Sequence, residues 1–160
     1  MSEPRWLDEV EARAWRAWVE CTGRVARRLE RQLRDDSGLT FDDYEVLVRL
    51  SEAPGRRLRM SELAARAIQS PSRLSQRIDR LAERGFVRRC RDSDDRRVVH
   101  AELTDEGFAA LDAAAPGHVE AVRAVLVDRL DRDELACLGE VLGRLAAELH
   151  EEDTRSRRPT

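Results

Sequence analysis

At 160 residues the chain is long enough for one ordinary domain, or two small lobes sharing a core, and too short for a long modular architecture. A 41% hydrophobic fraction supports a core, while 38% charged residues and only three Phe, three Trp and one Tyr disfavour a β-sandwich and point to aliphatic helices. The net charge of −3 hides an asymmetry: between Pro54 and His100, 13 arginines stand against six acids, a net +7, and the flanks carry −10.

A basic block of this kind suits a segment that faces a polyanion, the plain alternative being a solvated, salt-bridged surface. No apolar run approaches the 18 or so residues that cross a bilayer, and the opening stretch carries acids where a secretory leader would be basic and then apolar, so a cytoplasmic location is expected. Cys21, Cys90 and Cys137 are odd in number and far apart, with no Cys-x-x-Cys pair, which suggests neither a disulfide framework nor a zinc site. Every basic residue is Arg.

The first element is a long helix, from about Pro4 to Arg34, with Trp6, Val10, Ala14, Trp18, Val25, Leu29 and Leu33 near helical spacing. Asp35, Asp36, Ser37 and Gly38 end it. Leu39, Thr40 and Tyr44 then mark a capped and stapled start, with Asp43 completing a Thr-x-x-Asp capping box, for a helix that runs to about Ser51. A short helix from Ser61 to Ile68, with Ser61 as a weak cap, leads into one from Pro71 to Arg84. The latter has Ser70 as cap, proline at its first position, Leu74, Ile78 and Leu81 on one face, and Gly85 as terminator. Two short helices meeting across Ile68, Gln69 and Ser70 have helix-turn-helix spacing.

After Gly85 the period changes to that of strands, 86–91 and 98–103, joined by the polar tip Asp92 to Arg97, and together these form a wing. Helix returns from Thr104 to about Leu130, with Pro116 and Gly117 expected to kink or break it, and again from Asp131 to about Glu152, capped by Asp131 with Glu134 reaching back. In this last helix Leu135, Leu138, Leu142, Leu145 and Leu149 step 3, 4, 3, 4, a seam for a partner helix. Burial inside one chain would give the same pattern, but an outer terminal helix has few other surfaces to cover, so an intersubunit seam is the favoured reading. Residues 153–160 read as a disordered polar tail.

Gly38-Leu39-Thr40 leading into Tyr44-Glu45-Val46-Leu47, then Met60-Ser61-Glu62-Leu63-Ala64, then Asp79-Arg80-Leu81-Ala82-Glu83-Arg84-Gly85-Phe86-Val87, together resemble the MarR family of bacterial transcription regulators. The most specific stretch is Asp92-x-x-Asp95-Arg96-Arg97 followed by Leu103-Thr104-Asp105-Glu106-Gly107, which resembles that family's wing and the start of its fifth helix. The resemblance covers about residues 10–150. It implies a mainly α fold with a small β wing, and a homodimer joined through its N- and C-terminal helices (1–36 and 104–152) around a winged helix-turn-helix lobe (37–103). It further implies a regulator, commonly a repressor, of double-stranded DNA.

In such a lobe the second helix of the motif enters the major groove, so its outward residues should be polar donors. Here those are Ser70, Ser72, Arg73, Ser75, Gln76, Arg77 and Arg80. Arg97 matches the family's wing arginine and is expected in the minor groove, with Asp95 placed to hold its guanidinium and Arg96 adding a phosphate contact.

The family also implies a small phenolic or apolar anionic effector, for which Trp15, Trp18, Tyr44 and Arg49 stand near the junction of the two parts, although core packing is the preferred reading of these residues. Peroxide sensing by a thiol is an alternative, yet Cys21 falls later in the first helix than that branch's reactive cysteine, so structural cysteine is the preferred reading. A helical interaction module without DNA is a further alternative. An enzyme is not expected: His100, His118 and His150 are isolated, no nucleophile, phosphate-loop or metalloprotease pattern occurs, and neither metal nor cofactor is implied.

Overall fold

The computed structural model describes residues 3–92, 95 and 97–156. Helix α1 spans Glu9–Ser37, α2 Phe41–Ser51, α3 Met60–Arg66, α4 Pro71–Glu83, α5 Asp105–Val125 and α6 Arg132–Ser156. Three short strands, β1 (Arg57–Arg59), β2 (Val87–Arg91) and β3 (Val99–Leu103), form an antiparallel sheet in the order β1-β3-β2. The expected class, mainly α with a small β wing, is what the chain adopts.

Helix starts follow local chemistry. Thr40 Oγ1 accepts the Asp43 N–H at 3.0 Å while Asp43 Oδ2 accepts the Thr40 N–H at 3.1 Å, closing the capping box of α2. Asp131 and Glu134 do the same for α6, at 2.8 and 2.9 Å. Helix α1 begins five residues later than Pro4 because Asp8 and Glu11 form a third reciprocal box, and it continues past Arg34 to a left-handed Gly38 with φ of 66°. Ser61 is not a cap: α3 leaves β1 directly, with Arg59 at the cap position and no side-chain bond there.

Two further expectations are corrected. Helix α5 runs through Pro116 without a break, ending at Val125 and not at Leu130. Pro116 and Asp112 are both exposed, so the carbonyl that loses its helical donor lies on the water side. Helix α6 continues through 153–156, where a polar tail was expected to have begun.

The chain divides into two compact units, residues up to Ala121 and residues from Val122 onward. Within the first unit Leu33 on α1 and Leu111 and Ala114 on α5 belong to one core with Val46, Leu47 and Leu50 of α2, Leu63 of α3 and Leu74, Ile78 and Leu81 of α4. In the second unit no described residue of α6 is buried: of its leucine seam Leu135, Leu138 and Leu142 are half-buried and Leu145 and Leu149 exposed, and Val141 beside the seam is exposed too. Trp6 and Leu7, just before α1, and Val10, Trp15, Trp18 and Val19 on it are likewise exposed. Among the described residues no helix is long and apolar enough to cross a membrane.

Candidate nucleic-acid interface

Helix α4 is amphipathic in the strict sense that Leu74, Ile78 and Leu81 are its buried residues. Its entry is set by Ser70, whose Oγ accepts the Arg73 N–H at 3.4 Å, and by Pro71, whose missing donor costs nothing in the first turn. The preceding turn holds Ile68 at a φ of 52°, a left-handed conformation that a β-branched side chain adopts only under strain, and leaves it 92% exposed.

The outward residues of α4 have different fates. Ser72, Arg73, Gln76 and Arg80 are exposed, and the side chains of the last three make no hydrogen bond or ion pair to a described residue. Ser70 and Ser72 place their hydroxyl oxygens 3.3 Å apart at the helix entry. Ser75 is engaged: Arg89 of β2 donates to its Oγ at 2.9 Å and to its carbonyl at 3.0 Å, and the same guanidinium reaches Asp79 Oδ1 at 3.0 Å, strapping the wing to the helix.

Arg77 corrects the sequence reading. Its side chain is 11% exposed and is turned into the lobe. Nη1 donates to Asp43 Oδ1 at 2.6 Å and to Thr40 Oγ1 at 3.0 Å, Nη2 to Asp42 Oδ2 at 2.6 Å, and Nε to Gln69 Oε1 at 3.2 Å. Burial alone would raise the Asp43 pKa, but hydrogen bonds from Thr40 and Arg77 outweigh it and hold the carboxyl below its ordinary value. A guanidinium bound to two carboxylates is not a free groove contact, and helical spacing could not reveal this because the acids lie about 35 residues upstream.

The wing is the β2–β3 hairpin. Its tip is closed by Asp92 N–H to the Val98 carbonyl at 3.0 Å and Val98 N–H to the Asp95 carbonyl at 2.9 Å. Asp95 Oδ1 accepts both the backbone N–H of Arg97, at 3.0 Å, and its Nε, at 3.3 Å, so the expected pairing is present and the Arg97 side chain is 92% exposed. Arg96 lies outside the described residues. Ser93 and Asp94 do too.

At the wing's root, Thr104 Oγ1 donates to the Gly85 carbonyl at 2.7 Å and accepts the Gly107 N–H at 3.0 Å, while the Thr104 N–H reaches the Phe86 carbonyl at 3.1 Å. A Cβ on Gly107 would run into that same Phe86 carbonyl. The Leu103 to Gly107 stretch thus ties the end of α4, the root of the wing and the start of α5 together. On the sheet, Arg57 Nη2 donates to His100 Nδ1 at 3.0 Å, and Cys90 Sγ donates to Glu102 Oε2 at 3.3 Å. Burial, reinforced by the Glu102 carboxylate, pushes the Cys90 thiol up, which is opposite to what a reactive thiolate needs.

The four residues expected to bind an effector have different surroundings. Trp15 and Trp18 are exposed on the first half of α1, and Arg49 pairs with Glu45 at 3.2 Å. Tyr44 is buried, its ring centroid 4.4 Å from that of His118, whose Nδ1 lies 3.2 Å from Gln32 Oε1. Burial pushes the His118 pKa down, with the Glu45 charge opposing. A cleft of about 550 Å³ lies elsewhere, lined by Arg27, Glu30 and Arg34 of α1, Phe41 and Asp42 of α2, and Arg77 and Arg80 of α4, among others. Among the described residues no group of three or more His, Cys, Asp or Glu could hold a metal.

A sequence model of the MarR family matches residues 37–98. Sco3205, a MarR family transcriptional regulator from Streptomyces coelicolor whose crystal structure is in complex with DNA, is 44% identical with a TM-score of 0.87, over 92% of each chain. AbsC, another MarR family regulator from S. coelicolor, is 40% identical with a TM-score of 0.88, over 92% of this chain and 99% of that one. The transcriptional repressor YetL of Bacillus subtilis is 33% identical over 112 residues, 68% of this chain and 67% of its own length.

Proposed function

We propose a function from one premise: the chain belongs to the MarR family of DNA-binding transcriptional regulators. The finer reading is a homodimeric repressor that recognises a palindromic operator, each lobe laying α4 in a major groove and its wing along the adjacent minor groove. The single observation that carries it is the set of exposed donors without intrachain partners, Arg73, Gln76 and Arg80, on the same lobe as an Arg97 held by Asp95 at an exposed hairpin tip. Arginine can pair with guanine edges and glutamine with adenine, and a guanidinium at the wing suits the negative potential of a narrow minor groove.

The dimer is supported by two apolar faces left uncovered, the first half of α1 and the Val141, Leu145 and Leu149 side of α6. Two-fold symmetry then places the half-sites about 10 base pairs apart. The activity proposed is recognition, not catalysis.

Release by a small aromatic anion is part of the same proposal, and the cleft favours it: Arg27 and Arg80 have no acid partner among the described residues, and Phe41 offers an apolar wall. An anion held there would engage Arg80, so it would bind the free and the DNA-bound protein differently, as any effector must. Trp15, Trp18, Tyr44 and Arg49 are not retained as its site.

The test is enrichment from a random-sequence duplex pool, followed by mobility shifts at several salt concentrations. The reading predicts an inverted repeat and a steep fall of affinity with salt, about one log-log unit per phosphate contact. Equal, salt-insensitive binding to every duplex would contradict it, as would a chain that remains monomeric by sedimentation.

A further inference from the structure

We propose that Arg77 is a positioning residue for DNA recognition: with Asp43 it fixes the seat of α4 against α2, and so sets sequence discrimination without touching DNA. The inference rests on the reading that α4 is the element that enters the groove. Leu74, Ile78 and Leu81 hold α4 to the core, but apolar contact is non-directional and tolerates a small roll of the helix. A planar guanidinium does not. Arg77 donates from three nitrogens to acceptors on two separate elements, the cap and first turn of α2 (Thr40, Asp42, Asp43) and the turn that precedes α4 (Gln69).

Asp43 is fixed in its turn, since its other oxygen closes the capping box on the Thr40 N–H at 3.1 Å. The Asp43 side chain is 10% exposed, so the pair is shielded from screening by salt. Arg73, Gln76 and Arg80 flank Arg77 within one helical turn on either side, and a roll of α4 would displace all three together. Displacements of about 1 Å are enough to spoil a preorganised site.

The experiment uses the full chain, the duplex that the wild type enriches from a random pool, and a scrambled duplex of equal length. Its key variant is Asp43→Asn. Removing an acid from a DNA-binding lobe should, by charge alone, strengthen binding to any duplex. The positioning role predicts the reverse for the enriched sequence: at least a tenfold loss of affinity, with affinity for the scrambled duplex unchanged or higher. Arg77→Lys, which keeps the charge and loses the fork, should retain part of the discrimination.

The double variant Asp43→Asn/Arg77→Met leaves no buried charge unpaired at this position, and so supplies a folded protein if either single change unfolds the lobe. It should melt near the wild type yet remain poorly discriminating. An Asp43→Asn protein that binds the enriched duplex as well as the wild type does would overturn the proposal, and so would a double variant with restored discrimination. If the wild type enriches no sequence, the proposed function falls first and the positioning role with it.

Discussion

Arg77 and Arg80 sit three residues apart on the same helix, in the same basic block, and they are built for opposite tasks. Arg80 is exposed, faces a cleft and has no partner among the described residues. Arg77 lines the same cleft, but its guanidinium is bound to Asp43 and Asp42. The difference shows that the basic surplus of the middle segment is not a count of DNA contacts. Arg77 and Arg89 are engaged inside the lobe, the one bound to the start of α2 and the other tying α4 to β2, whereas the side chains of Arg73 and Arg80 have no partner among the described residues and that of Arg97 stands exposed at the wing.

The largest expected effect separates these classes by stability. Arg77→Met strands Asp43 without its buried counter-charge and should cost about 3–5 kcal/mol in chemical denaturation. Arg73→Ala and Arg80→Ala should each stay within about 0.5 kcal/mol of the wild type. Equal stability losses for all three would erase the distinction. Gly107→Ala comes next: it forces a Cβ against the Phe86 carbonyl at the wing's root, and overpacking of this kind costs about 1–3 kcal/mol, read as a lower midpoint in urea.

The same comparison can be sharpened on DNA. Arg73→Ala or Gln76→Ala should reduce discrimination between bases by about 1–3 kcal/mol, whereas Arg97→Ala should weaken many sequences alike and lower the salt slope by about one unit. The smallest effect concerns acid. The depressed His118 pKa means that the unfolded chain binds the proton more readily, so this contribution to stability is complete above about pH 6.5 and fades as pH falls below it. His118→Gln should flatten the pH dependence of unfolding below about pH 6.5, and an unaltered profile would remove His118 from the account.

Much of this was legible in the sequence because it is local. Thr40, Ser70, Thr104 and Asp131 each start a helix with bonds that reach no more than three residues ahead, and hairpin spacing alone located the wing. The Asp8 and Glu11 box was equally local, but an apolar repeat running back to Trp6 obscured it. Strand β1 was invisible, since three residues with only Leu58 buried carry no period, and their partner β3 lies more than 40 residues on. Helical phase placed Arg77 on the outward side of α4 but could not show its bonds to Asp43 and Asp42, because phase says which way a Cα faces and not which acid its side chain can reach. The intrachain partners of two expected effector residues were hidden for the same reason: Tyr44 packs on His118, and Arg49 pairs with Glu45.

The most direct measurement is the slope of log affinity against log salt, on one enriched duplex, for the wild type, Arg97→Ala and Arg77→Met. The account predicts a slope smaller by about one unit for Arg97→Ala and an unchanged slope for Arg77→Met, whatever its loss of affinity. A slope that falls for Arg77→Met and holds for Arg97→Ala would mean that the buried arginine meets the phosphates and the exposed one does not, and the account would be wrong.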